Sequence, residues 1–253
     1  KNKNRVEKNV FTTNEDGEKI TLYAAMNGGD EAEYIARTAN KLIQEGTSPS
    51  SLAVLYRTNF QSRALEEAFL NYGVSYQLLG TKFYERKEIK DVLSYLRLAM
   101  NPSSSADLAR IINEPARGIG KVTMLKVIEG RRGDLTGAAL EKVSRFDDMM
   151  MDIAAEARTK KLSVALKFII ARTGMETEFK KSGTDEDLSR LENLRELVSI
   201  ATRYDEMDIE AGIEAFIETV ALQSDQDELK EKTEQDAVRL MTVHAAKGLE
   251  FPY

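Results

Sequence analysis

Strand-like segments stand on both sides of a long stretch, Asp107 to about Glu234, that shows several amphipathic helical patterns and no convincing strand. An α/β pattern that stops, gives way to helices and then resumes is what a helical insertion into a parallel-sheet domain produces. The spacing before the break supports this plan. Ile20 to Met26 is strand-like, Asn27-Gly28-Gly29 breaks it, and Asp30 is the expected N-cap of a helix. Ile35, Ala39, Leu42 and Ile43 recur at helical spacing up to Gly46, and Ser51 to Tyr56 reads as a buried strand, which completes a βαβ unit.

A second helix from about Gln61 to Tyr72 places Leu65, Phe69 and Leu70 on one side and stops at Gly73, before a short strand from Ser75 to Leu79. Lys87 to Met100 is helical again, with Ile89, Val92, Leu93, Leu96 and Leu98 in register. Asn101-Pro102 and the serines 103 to 105 then mark a boundary. The clearest helices beyond it are Val164 to Ala171, Leu188 to Tyr204 and Ile209 to Leu222. Asp225 to Glu234 is nearly all polar and reads as a solvated linker or frayed helix end, after which Ala237 to Val243 returns to strand character. The expected division is 1–102, 103–234 and 235–253, the last segment rejoining the first.

Composition removes several chemistries. The chain has no cysteine, so thiolate zinc sites, disulfides and cysteine nucleophiles are excluded, and a reducing cytoplasm is the expected location. No apolar run approaches the eighteen or so residues that a spanning helix needs, so no membrane partner is expected. Lys1 to Lys8 lacks an initiator Met and the apolar core of a secretion signal, and reads as cut from something longer. The formal net charge of -6 means that any nucleic-acid contact must come from local basic patches.

Three segments stand where such contact would fall. Thr242-Val243-His244-Ala245-Ala246-Lys247-Gly248-Leu249-Glu250-Phe251 lies at the end of the last strand, and ligands of parallel sheets gather at carboxyl strand ends. Taken singly, His244 and Lys247 read as solvated loop residues. Arg57-Thr58-Asn59 joins a strand to a helix start, where backbone N–H groups and a cation suit a phosphate, although Thr58 or Asn59 also suits a simple N-cap. In the third, Arg117-Gly118-Ile119-Gly120-Lys121-Val122-Thr123, the glycines allow a tight turn between helices to bring its amides close to a phosphate.

Between Arg110 and Arg132 there are six basic residues (Arg110, Arg117, Lys121, Lys126, Arg131 and Arg132) against Glu114 and Glu129. Gly120-Lys121 is not a P-loop, because Pro115 and Val122 fill places that need glycine and a hydroxyl residue. Phe60, Phe83 and Tyr84 suit base stacking or, more commonly, burial. The basic residues of the segment Gly80 to Asp91, among them Lys87 and Lys90, suit DNA or i,i+4 pairing on a helix.

The chain resembles superfamily-one DNA helicases of the UvrD/Rep/PcrA type. Thr242 to Phe251 is similar to their motif V, Tyr56 to Arg63 to the DNA-facing edge of their second RecA-like domain, and Gly118-Ile119-Gly120 to the turn of their helical insertion. The resemblance implies a partial RecA-like sheet (domain 2A) interrupted by a helical insertion (2B). It implies single-strand contacts at Arg57, Asn59, Thr242, His244 and Lys247, duplex contacts at Arg117, Gly118, Ile119, Gly120, Lys121 and Thr123, and an approach of Glu250 to the ribose of ATP.

It implies further that ATP and Mg2+ serve the full-length protein, that a first RecA-like domain is the missing partner, and that movement runs 3′ to 5′ in DNA repair or replication, with partner proteins of those processes. This segment carries none of the family's P-loop, metal-binding or later arginine motifs, so it is expected to bind no nucleotide alone and not to hydrolyse ATP; no metal ligand is assigned. The alternatives are a non-catalytic nucleic-acid-binding module and a protein-docking helical scaffold.

Overall fold

The computed structural model describes residue 17, residues 19–231 and residues 236–253. Lys1 to Lys8 lies outside them. Three short parallel strands, β1 (Ala53–Tyr56), β2 (Tyr76–Leu79) and β3 (Val238–Thr242), form a sheet of order β1-β3-β2. The strand that follows the helical stretch therefore sits in the middle, with Leu240 opposite Val54 on one side and Leu78 on the other. Both outer strands take their ladder from β3, since each pairs with it and not with the other.

One face of this sheet is covered by α1 (Gly28–Gln44) and α2 (Ser62–Asn71), which are amphipathic by spacing. Ala32, Ala36 and Ala39 from α1 and Leu65, Ala68 and Phe69 from α2 pack on Leu52, Tyr56, Val74, Val238 and Leu240. The alanines let α1 lie close. Burial of the Tyr56 hydroxyl, with Glu66 nearby, pushes its pKa up to about 12.

A second core runs from Phe83 to Val220. It is built by α3 (Lys87–Met100), α4 (Ser105–Ile111), α5 (Lys121–Ile128), α6 (Gly137–Thr159), α7 (Leu162–Thr173), α8 (Met175–Ser182), α9 (Asp185–Ala201) and α10 (Ile209–Glu231). Helix α3 is its spine: Ile89, Val92, Leu93 and Leu96 are fully buried against α4, α6, α7 and α9. Phe83 and Tyr84 are buried in this core and are closed to bases. Lys87 pairs with Asp91 at 3.7 Å, an i,i+4 pair on α3, and with Glu114 at 2.5 Å, while Lys90 pairs with Glu85 outside that helix.

Two expectations are corrected. Ile20 to Met26 is not a strand: Ile20, Leu22 and Met26 are 100, 93 and 90% exposed, because no neighbouring strand among the described residues supplies a ladder, and β-propensity needs one. Tyr23 instead stacks on Tyr34 at 3.9 Å. The cap of α1 is Asn27, whose side chain accepts from the Asp30 amide at 3.0 Å. Asp30 sits one turn in and accepts from the Met26 amide and the Tyr23 hydroxyl, contacts that hold its carboxyl below the usual range. Of the two readings of the polar segment from Asp225, linker or helix end, the structure shows a helix end: α10 runs as far as Glu231, and residues 232–235 lie outside the described residues.

Candidate nucleic-acid interface

Two loops leave the sheet side by side. Tyr56 is in register with Thr242, and the Val243 amide donates to the Tyr56 carbonyl at 2.9 Å, so the segments after β1 and β3 emerge at one carboxyl edge. The first loop is fixed by Gln61, whose side-chain oxygen accepts from the amides of Arg57 (3.1 Å) and Thr58 (3.0 Å) and from the Thr58 hydroxyl (3.2 Å). Arg57 and Asn59 are exposed, and the Arg57 guanidinium has no partner among the described residues. Phe60 is half-buried beside them.

The second loop winds into a tight turn. Thr242 accepts from the Ala245 amide through its hydroxyl and from the Ala246 amide through its carbonyl, and Gly248 takes φ +86°, a left-handed conformation that a side chain would strain. His244, Lys247 and Glu250 project from this turn, exposed and with side chains unpartnered among the described residues.

Behind the first loop sits Arg86, which is buried and was not anticipated as a site residue. Its guanidinium donates to the Asn59 carbonyl (2.8 Å), the Ser62 hydroxyl (2.9 Å), the Thr81 carbonyl (3.3 Å) and the Asn193 side chain of α9 (2.8 Å). Asn193 in turn donates to Glu88 at 2.5 Å. Burial pulls the Arg86 pKa down, opposed by Glu66 and Glu88. A second tie is Arg203, which reaches Glu67 of α2 at 2.7 Å. These contacts join the loop after β1 to the helical core; nothing local in the sequence signals them, since Asn193 lies far along the chain.

The glycine turn lies between α4 and α5. Asn113 holds it from below, its side-chain oxygen accepting from the amides of Arg117 (2.9 Å) and Ile119 (3.0 Å). Ile119 is buried, whereas Gly118, Gly120 and Lys121 are exposed and Thr123 is half-buried. Gly118 has φ +70° and Gly120 is the N-cap of α5, with no side chain to satisfy the first N–H groups of the helix. Those amides and the helix dipole suit an anion.

Arg117 points the other way. Its guanidinium donates to the carbonyls of Ile111 (3.2 Å) and Pro115 (3.0 Å) and packs over the rings of Tyr95 and Phe146, each at 5.7 Å. Most of the basic island is likewise engaged. Arg110 pairs with Asp91 (2.7 Å), Arg131 with Asp134 (2.8 Å) and Glu129 (3.0 Å), Arg132 with Asp147 (3.1 Å), and Lys126 donates to the Asp134 carbonyl (3.3 Å). Of the six cations, Lys121 alone has an unengaged side chain among the described residues.

For a nucleotide, the arrangement offers the exposed carboxylate of Glu250. Among the described residues no three His, Asp or Glu side chains cluster to hold a metal ion. Nor is any described helix long and apolar enough to cross a membrane.

A parallel α/β unit, opened by a helical insertion and carrying unpaired cations at its carboxyl edge, is the class that fold and site define. The chain belongs to the family of the UvrD-like helicase C-terminal domain, whose model matches residues 1–253. It is 36% identical to the ATP-dependent DNA helicase PcrA of Bacillus subtilis (strain 168) and 37% identical to DNA helicase II of Escherichia coli (strain K12), each over 272 residues. PcrA of Staphylococcus epidermidis is 36% identical over 276 residues. The first two alignments cover 99% of this chain and 37% of each relative, so the chain spans little more than a third of their length.

Proposed function

We propose that this chain is the DNA-engaging part of an ATP-dependent helicase that moves 3′ to 5′ along one strand while its helical insertion holds the duplex. The observation that carries the reading is the parallel pairing of β1 with β3, which brings the segments carrying Arg57 and Asn59 and carrying Thr242, His244 and Lys247 to one edge, with the charges of Arg57 and Lys247 unspent among the described residues. A single-stranded backbone crossing that edge meets two cations and several hydrogen-bonding groups.

In the insertion, Gly118, Gly120, Lys121 and Thr123 offer a duplex phosphate the open amides of α5 and one ammonium, while Arg117 and Ile119 shape the turn from inside. Contact of this kind reads no bases. The division at 1–102, 103–234 and 235–253 belongs to the same proposal, with α3 serving as the first helix of the second core. Glu250 would accept from sugar hydroxyls of ATP. Nucleotide and metal, with the first RecA-like domain, would belong to the whole protein, as would cytoplasmic DNA repair or replication partners.

The test is fluorescence anisotropy of the chain with a labelled single strand and a labelled duplex across salt. Single-strand affinity is expected to fall with salt and to drop in Arg57→Ala and Lys247→Ala, whereas Lys121→Ala weakens only duplex binding. Loss of both activities together in every variant, or binding indifferent to salt, would overturn the assignment. Phosphate release from ATP by the chain alone is expected to match buffer.

A further inference from the structure

We infer that Lys142, on α6, is a second duplex-phosphate ligand that completes the anion cradle of the glycine turn; this rests on the duplex-holding role proposed above. Lys142 lies far from the turn in sequence, yet its ammonium donates to the Gly118 carbonyl at 3.0 Å. That bond uses one of three N–H donors and leaves the charge uncompensated, because a carbonyl carries none. The side chain is exposed and has no carboxylate partner among the described residues.

The neighbours of Lys142 make it distinctive. Arg145, one turn further along α6, is paired with Glu141, and Arg132, in the turn that precedes α6, is paired with Asp147. Lys121 and Lys142 thus reach the turn with exposed ammonium groups and no acidic partner among the described residues, whereas Arg117, which also lacks one, is turned inward. They approach it from different helices, one at the open N-terminus of α5 and one from the flank.

Gly118 leaves room for this approach. A Cβ built there would lie 2.9 Å from the Lys142 ammonium, so the end of that flexible side chain would have to shift, and a side chain at Gly118 would be strained at φ +70°. Lys142 adds its charge to amides that already favour an anion. A phosphate seated at the turn meets two ammonium groups and the first N–H groups of α5.

A purely structural strut between α6 and the turn would use the same Lys142 to Gly118 bond, and Lys142→Gln separates the two roles. Glutamine keeps a donor for the carbonyl and removes the charge. The whole chain is titrated with a labelled duplex from 50 to 200 mM salt, with Lys121→Ala as the companion variant and thermal melting as the check on folding. The expected result is an unchanged melt and a log–log salt slope shallower by about 0.9, so that the affinity lost across that range shrinks about threefold, with Lys142→Arg restoring the original slope.

A wild-type slope in Lys142→Gln, with Lys121→Ala still reducing it, would overturn the role of Lys142 alone. If neither variant changed duplex binding, or if the wild type bound no duplex, the underlying assignment of the turn would fall with it. A lowered melt in Lys142→Gln that Lys142→Arg repairs without restoring the slope would make Lys142 a strut.

Discussion

The carboxyl edge of the sheet and the glycine turn both present arginine, glycine and lysine before or after a helix, and they use those residues in opposite ways. At the sheet edge the backbone is fixed by Gln61 and Thr242 and, from behind, by Arg86, so Arg57 and Lys247 keep their charges for a partner. At the turn the arginine itself does the fixing: Arg117 is committed to two carbonyls and two rings, and the free charge falls to Lys121 and Lys142. A cation counts toward DNA binding only when it is exposed and the carboxylates around it have been subtracted.

The largest effect that can break this comparison is a cut at the shared base of the sheet loops. Leu240 is fully buried between β1 and β2, and Leu240→Ala is expected to cost about 2–5 kcal/mol. Hydrogen exchange should show α1 and α2 losing protection while α6 and α7 keep theirs; equal loss in both would mean that the two cores melt as one. Next comes Arg117→Ala, expected to lower stability by about 2–3 kcal/mol, since charge-assisted bonds to two carbonyls disappear. Its duplex affinity should fall without the slope change of Lys121→Ala. A slope change of equal size, with an unmoved urea midpoint, would place Arg117 on the DNA.

Smaller still is Arg57→Ala, expected to make the single-strand salt slope shallower by about 0.7 with no change in unfolding midpoint, read by anisotropy. An altered midpoint would show that Arg57 is structural after all, and the contrast with Arg117 would vanish. The smallest effect is expected at Asp107, at the start of α4. Burial there favours the neutral acid, but hydrogen bonds from Arg97 (2.8 and 3.0 Å) and Ser104 (2.7 Å) outweigh it and hold the carboxyl below its usual range. With a depressed folded pKa, the stabilisation is present above the unfolded pKa and disappears as pH falls through the folded one. Asp107→Asn should therefore cost under about 1 kcal/mol at neutral pH and nothing in strong acid, checked by urea midpoints at both.

Much of this plan is legible in the sequence because it is local. Helices α2, α3, α7 and α9 follow their apolar spacing, and β3 follows the return of strand character at Ala237. The insertion could be inferred without knowing which strand would be central. Ile20 to Met26 failed for a non-local reason: strand character is realised only beside another strand. The candidate residues at the sheet edge were visible from their place after strands, but Arg86 and Lys142 were not, since each becomes meaningful through a carbonyl or amide brought close by tertiary packing. Arg117 was visible as a basic residue and hidden as an inward one.

The central position of β3 bears on how such a chain is made. Among the described strands β1 and β2 pair only with β3, so neither of these ladders can form until β3 has been made. The helices, whose contacts are closer in sequence, are free to assemble earlier. Once they do, they hold the two ends of a very long loop near each other, which lowers the entropy lost when the sheet closes. In this light the insertion is a folding brace as well as an appendage, and a chain lacking a well-packed α3 would leave β1 and β2 as exposed edges open to aggregation.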